Sequence, residues 1–298
     1  MNIIESYIVN NPNYRSPRYI TPKGVMLHSV GCPQPRGSVF VNNYNKSTCG
    51  VSVHGFIDAT NGDFYKTMPF NYRAGHCGGS ANNTHIAIEM CEPSYVKYTN
   101  GASFVCTDLL KARKQATTAY NSAVELFAMI CEEYNFDPMT DIISHNEGRI
   151  KGVASAHYDP EHLWNCLGLG FTMDGFRQDV KNAMKKDEWK HNDKGYWYEY
   201  ADGTYPKSKW LKLDNEWYYF DDRGYAYRNK WLEYKDKWYY FGDDCKMLSD
   251  SWVNYKQKTY YIDSNGVMVI GLKKIGKDLY YFAEDGHMCH TNPSGALV

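Results

Sequence analysis

Four tryptophans, Trp189, Trp210, Trp231 and Trp252, stand 21 residues apart. Behind each, at a fixed offset, comes an aromatic cluster: YWYEY from Tyr196, WYYF from Trp217, WYYF from Trp238 and TYYI from Thr259. A fifth copy starts at Leu272, with LYYF from Leu279, and is one residue shorter. A unit of about 20 residues cannot bury its own apolar face, so a fixed period requires stacked units, each covering the next. Turn residues follow each cluster, as in Asp222-Arg223-Gly224 and Ser264-Asn265-Gly266. An aromatic strand, an Asp/Asn/Gly turn and a short strand together read as a hairpin. Residues 189–298 are therefore expected to form an all-β hairpin-repeat solenoid.

The rest of the chain has a different composition. From Trp189 onward there are 26 aromatic residues in 110, about twice the density of the first 188, whereas seven of the ten histidines precede Trp189. The charged stretch 184–188 reads as a linker, with residues 1–183 as a first domain. GVMLHSV (24–30) reads as a strand ending near His28, 52–67 as two strands joined at Asn61-Gly62, and THIAIEM (84–90) as a strand with Glu89 opposite its apolar face. A helix capped by Thr107 should run to about Tyr134, and another should span about 172–185. The expected fold is α/β, a mixed central sheet with flanking helices. A net charge of −1 argues against nucleic acid or an anionic membrane as a partner. No run of about 18 apolar residues exists to insert into a bilayer. The first residues, MNIIESYIVNNPNYRS, lack the basic and apolar regions of a secretory signal, so synthesis in the cytoplasm is expected.

Histidines and acids at strand ends and in loops make a metal-site pattern. His28 ends a strand, His145 lies in IISHNEG, and AHYDPEHLW supplies His157 and Asp159. Scattered His/His/Asp ligands suit a catalytic zinc that keeps one position open for water. By spacing alone, each histidine reads more readily as a structural residue than as a ligand.

Longer words carry a family resemblance. VMLHS, AGHCGGSANNTHIAIEM, SHNEG and HYDPEHLW occur in the order found in zinc-dependent N-acetylmuramoyl-L-alanine amidases, and the span 1–183 resembles their amidase-2 group. The resemblance implies Zn2+ held by His28, His145 and Asp159, with Glu89 as catalytic acid/base and His157 stabilising the oxyanion. Many relatives have Lys where His157 stands, which leaves open that His157 ligates zinc and Asp159 supports it. The substrate implied is the amide between N-acetylmuramic acid and L-alanine in peptidoglycan. Alternatives are cleavage within the stem peptide, or a silent peptidoglycan-binding protein.

The tail phrases YWYEYADGTYP, WLKLDNEWYYFDDRGY and LYYFAEDGHM resemble the choline-binding repeats of autolysins and phage endolysins. They imply choline of teichoic acid as ligand, held between consecutive repeats, and action at the cell wall after release by lysis or a phage pore. A quaternary ammonium donates no hydrogen bond and is best held by aromatic faces. Three cages are expected: Trp189/Tyr196/Tyr219, Trp210/Trp217/Tyr240 and Trp231/Trp238/Tyr261. A fourth, at Trp252, lacks its middle wall because Thr259 replaces the aromatic. Relatives dimerise through their last repeats, and the irregular fifth copy with HTNPSGALV after it is compatible with a homodimer.

Overall fold

The computed structural model describes residues 1–290 and divides into two compact units, Met1–Lys185 and Lys186–Val298. In the first, six strands form one mixed sheet, ordered Ile3–Glu5, Phe64–Lys66, Gly55–Ile57, His85–Met90, Gly24–Ser29, Ile142–Ser144. Four of its five neighbouring pairs are parallel, and Gly55–Ile57 runs antiparallel to Phe64–Lys66. The central strand Gly24–Ser29 is buried along its whole length, as a strand covered on both faces should be. The helices Leu109–Tyr134 and Met173–Ala183 pack through Leu126, Phe127, Phe176 and Val180 into a core shared with Val25, Leu27, Ile86 and Ile88.

Some details differ from the sequence reading. Asp108, not Thr107, caps the long helix, its carboxylate accepting from Lys111 N–H. The Thr107 hydroxyl is engaged elsewhere, donating to Tyr95 O at 3.0 Å. Leu109 and Leu110 follow the helical spacing yet are exposed. His157 and Asp159 lie in a loop, residues 155–160.

Among the described residues, the second unit contains five antiparallel hairpins. Each pairs the strand of the leading residue with the aromatic strand, as Lys209–Leu213 with Glu216–Phe220. The tight turns are therefore not those after the clusters. They are Asp214-Asn215, Lys235-Asp236 and Lys256-Gln257, with both residues at positive φ, the twist that two-residue hairpins favour. The Asp/Asn/Gly turns then lead each chain back to the preceding hairpin: Ala226 N–H donates to Tyr196 O, Met247 to Trp217 O, and Met268 to Trp238 O.

Stacking follows one rule. Trp210 meets Tyr219 of its own hairpin at 5.5 Å, and Tyr239 and Phe241 of the next at 5.1 and 5.5 Å. Trp231 repeats this with Tyr240 and Tyr260, and Trp252 with Tyr261 and Tyr280. Successive side chains on a strand alternate in face. The face bearing the leading tryptophan thus packs against the opposite face of the following hairpin.

Candidate functional site

The strand register places the reactive groups. His28 and Glu89 are lateral partners on adjacent parallel strands, at their carboxyl ends. Ser144 ends the strand on the other side and caps the helix His145–Ile150, with Glu147 completing a capping box. Arg177 pairs with Glu147. Much of the SHNEG motif is thus a device that fixes His145 at the first position of a short helix. Asp159 comes from a loop tied down on two sides: its carboxylate accepts from Ser29 N–H at 3.2 Å, and its carbonyl accepts from Asn146 N–H at 3.2 Å.

Three donor atoms converge here. His28 Nδ1 lies 3.0 Å from His145 Nδ1 and 3.3 Å from Asp159 Oδ2, and His145 Nδ1 lies 3.5 Å from Asp159 Oδ1. Among the described residues, these three form the group with metal-ligand convergence, and all are buried. Two imidazole nitrogens this close are bridged either by an N–H hydrogen, one ring donating to the other, or by a metal ion. Tetrahedral bonds of about 2.0–2.1 Å would set donors about 3.3 Å apart, so the trio fits such an ion. Burial and the charge of His28 lower the pKa of His145 to about 4. Burial lowers that of His28 too, but the Asp159 hydrogen bond and the Glu89 and Asp159 charges outweigh it and raise the net value. His157 stands outside the trio. Its side chain is 64% exposed, stacks on His145 at 4.6 Å, and has Nδ1 3.8 Å from Asp159 Oδ1.

Glu89 and His157 join the trio in lining a groove of about 510 Å3, with Tyr44, Tyr98 and His76 also in its wall. Glu89 Oε2 is buried without a hydrogen-bond partner. Burial pushes its pKa up to about 8, against the lowering influence of His28. A carboxyl held this way is suited to exchanging a proton near neutral pH.

In the tail, the expected tryptophan pairs come together but the third walls do not. Trp210 and Trp217 meet edge-on at 6.2 Å, and Trp231 and Trp238 at 6.5 Å. Trp217 and Trp238 remain 41% and 40% exposed. Tyr240 and Tyr261, expected to close these cages from the next repeat, instead oppose the tryptophan of their own hairpin and are 9% and 8% exposed. The reason is parity. The neighbouring hairpin offers its other face, so the third ring is Tyr234 for Trp210, at 6.0 Å, and Tyr255 for Trp231, at 6.4 Å. Tyr219 likewise opposes Trp210 rather than closing a cage over Trp189. Trp189 packs on Tyr198, Tyr218 and Phe220, and Tyr196 faces His191. At the position of Tyr234 and Tyr255, the hairpin that covers Trp189 has Leu213.

Comparison with known proteins decides the family. Residues 18–162 match the N-acetylmuramoyl-L-alanine amidase family, and residues 208–226, 229–244, 250–268 and 270–288 match a cell wall binding repeat of the choline-binding type. The chain thus joins a region that matches the amidase family to repeats that match the choline-binding type. The amidase XlyA of Bacillus subtilis (strain 168) is 30% identical over 121 residues, 37% of this chain and 39% of that protein. The lytic amidase of Streptococcus pneumoniae phage HB-3 is 28% identical over 165 residues, 51% of this chain and 46% of that protein. The chain thus spans less than half the length of either relative. The pneumococcal cell wall endolysin from phage Cp-1, solved with choline, shares 34% identity over 38% of this chain and 37% of its own, at a TM-score of 0.32.

Sequence reasoning left several neighbours of the amidase site unassigned. His76 Nδ1 lies 2.9 Å from His28 Nε2, and Ser155 Oγ 3.2 Å from His145 Nε2, so both histidines of the trio are held from behind. Glu92, fully buried, accepts from Ser29 Oγ, Gly31 N–H and Tyr98 OH, anchoring the loop after His28. His76 lies within the AGHCGG word, which carried the signal. Glu92 had none, because its partners come from two separate segments, one at Ser29 and Gly31 and the other at Tyr98.

Proposed function

We propose that the amidase domain hydrolyses the amide joining N-acetylmuramic acid to L-alanine in peptidoglycan, while the repeats hold it on choline-bearing teichoic acid. The observation that carries the reading is the buried His28/His145/Asp159 trio with the unpartnered Glu89 carboxyl beside it, in an open groove. His28, His145 and Asp159 would hold Zn2+, which when bound polarises the scissile carbonyl and makes water more acidic. Glu89 takes the proton of the attacking water and passes it to the departing amine of L-alanine. His157, at the rim, donates to the oxygen on which negative charge develops. His76 and Ser155 keep the two ligand rings in place, and Glu92 fixes the turn that follows His28.

The tail supports the second half of the proposal through two three-ring seats, Trp210/Trp217/Tyr234 and Trp231/Trp238/Tyr255. Weak seats on one rigid array add through effective concentration, so the enzyme stays near a polymeric substrate. At the last hairpin, the face that other hairpins bury under a neighbour leaves Leu272, Leu279 and Tyr281 exposed, and we place the contact of a homodimer there. Residues 291–298, within the segment HTNPSGALV, lie outside the described residues.

The test is metal content and wall-digest chemistry on one sample. Stoichiometric zinc, with new L-alanine amino groups and intact stem peptides, is the expected result. Fragments cut inside the stem would overturn the bond assignment, and metal-free protein without hydrolysis would favour a binding role.

A further inference from the structure

The two complete aromatic seats share their walls but not their neighbours. In each hairpin one residue directly opposes the first aromatic of the cluster: His191 for Tyr196, Lys212 for Trp217, Glu233 for Trp238 and Asn254 for Thr259. Directly opposed residues of an antiparallel pair project from the same face, a few ångströms apart. Lys212 Nζ stands 5.9 Å from the centre of the Trp217 ring, so one seat already has a positive charge beside its wall. The other seat has a carboxylate at the equivalent position.

Other charges do not undo this difference. Glu216, just before a cluster, projects away from both seats by strand alternation and pairs with Lys246 at 3.7 Å. Lys237 and Lys258 directly oppose Tyr234 and Tyr255, so each seat has one lysine beside its third wall, and Lys258 pairs with Asp285 at 2.8 Å. Lys235 over Tyr234 and Lys256 over Tyr255, at 5.3 and 5.2 Å, are common to both seats. The first hairpin differs again: Arg228 Cζ lies 5.5 Å from the centre of the Tyr196 ring, and Arg228 Nε donates to Asp243 O at 2.7 Å. One and two periods further on, the residues are Ser249 and Ile270.

We propose that the seats are graded by charge: a quaternary ammonium ion enters Trp231/Trp238/Tyr255 first, beside Glu233, and Trp210/Trp217/Tyr234 second, beside Lys212. At Tyr196 the chain's own guanidinium occupies the ring face that a ligand cation would use. This rests on the reading of the repeats as choline-binding and adds an order of filling to it. A unit charge about 6 Å from the ligand in water changes affinity about threefold, so the two seats differ by about tenfold at low salt. Added salt narrows the gap.

Calorimetric titration of the full chain with choline chloride tests the order. Two classes of site are expected, with Trp238→Ala removing the tighter and Trp217→Ala the weaker. Glu233→Lys should weaken the first class by about tenfold and Lys212→Glu should strengthen the second by about the same, both effects fading with salt. Glu233→Gln and Lys212→Gln, which keep side-chain bulk, should give about half of each effect on the logarithmic scale. Equal sites indifferent to these changes, or loss of the weaker class on Trp238→Ala, would overturn the grading while leaving choline binding intact. No choline uptake by the wild-type chain would overturn the underlying reading and the grading with it.

Discussion

The amidase domain and the repeats build their sites by opposite means. In the first, His28 meets His145 across a separation of 117 positions, and one groove gathers every reactive group. In the second, each seat joins residues within 24 positions of one another, as Trp210 with Trp217 and Tyr234, and the next hairpin makes another. A single convergent site has no substitute for any member, whereas a serial array tolerates the loss of one. The two regions should therefore answer very differently to mutation.

The largest effect belongs to the convergent site. Glu89→Gln should lower the rate of wall hydrolysis by about 10²–10⁴-fold, as loss of a general acid/base does, with retention on a choline column unchanged. If column retention fell together with hydrolysis, the two regions would not be separable in this way. One layer out, His76→Ala should weaken zinc binding by about 10–100-fold, read by competition with a chromogenic chelator. An unaltered affinity would remove His76 from the support of His28.

Acid should separate the regions as well. His54 is fully buried, its Nε2–H donating to Tyr72 O and its Nδ1 accepting from Ala87 N–H. Burial lowers its pKa to about 4. The unfolded chain binds a proton below about pH 6.5 that the folded domain refuses until about pH 4, so stability present above pH 6.5 is lost on the way down. By about pH 5 this one group removes roughly 2 kcal/mol from the amidase domain. The tail histidines His191 and His290 are exposed. Urea melts at neutral and acidic pH, followed by signals specific to each unit, should show the first transition move further. His54→Gln should reduce that extra movement.

The smallest effects should come from single seat walls. Tyr255→Leu should weaken choline binding several-fold through loss of one aromatic face, roughly 1 kcal/mol. Trp189→Leu should leave ligand affinity nearly unchanged and act through hairpin packing instead. If Tyr255→Leu had no effect and Trp189→Leu did, the parity rule for the walls would be wrong.

The periodic half was legible because its contacts are local. A 21-residue spacing showed the repeating unit and picked out Trp210 with Trp217, and Trp231 with Trp238, though it put the hairpin turn one strand too late. It misplaced the third wall because spacing records position along the chain and not which face a stacked neighbour presents. The convergent half was legible only as words. VMLHS and IAIEM marked two strands, and their parallel register, which sets Glu89 beside His28, came only from the sheet. The hydrogen bonds of Glu92 to Ser29, Gly31 and Tyr98 have no periodic trace in the sequence.

The way each hairpin covers the next has a consequence for how such a tail can grow. Because the face offered forward differs from the face offered backward, the stack has a direction, like a column of cups. Duplicating one 21-residue unit within it would slot in one more cup and one more seat without altering the faces on either side. Reach along a polymer can then lengthen by simple copying, and the charge opposite each new aromatic becomes the one letter left to vary.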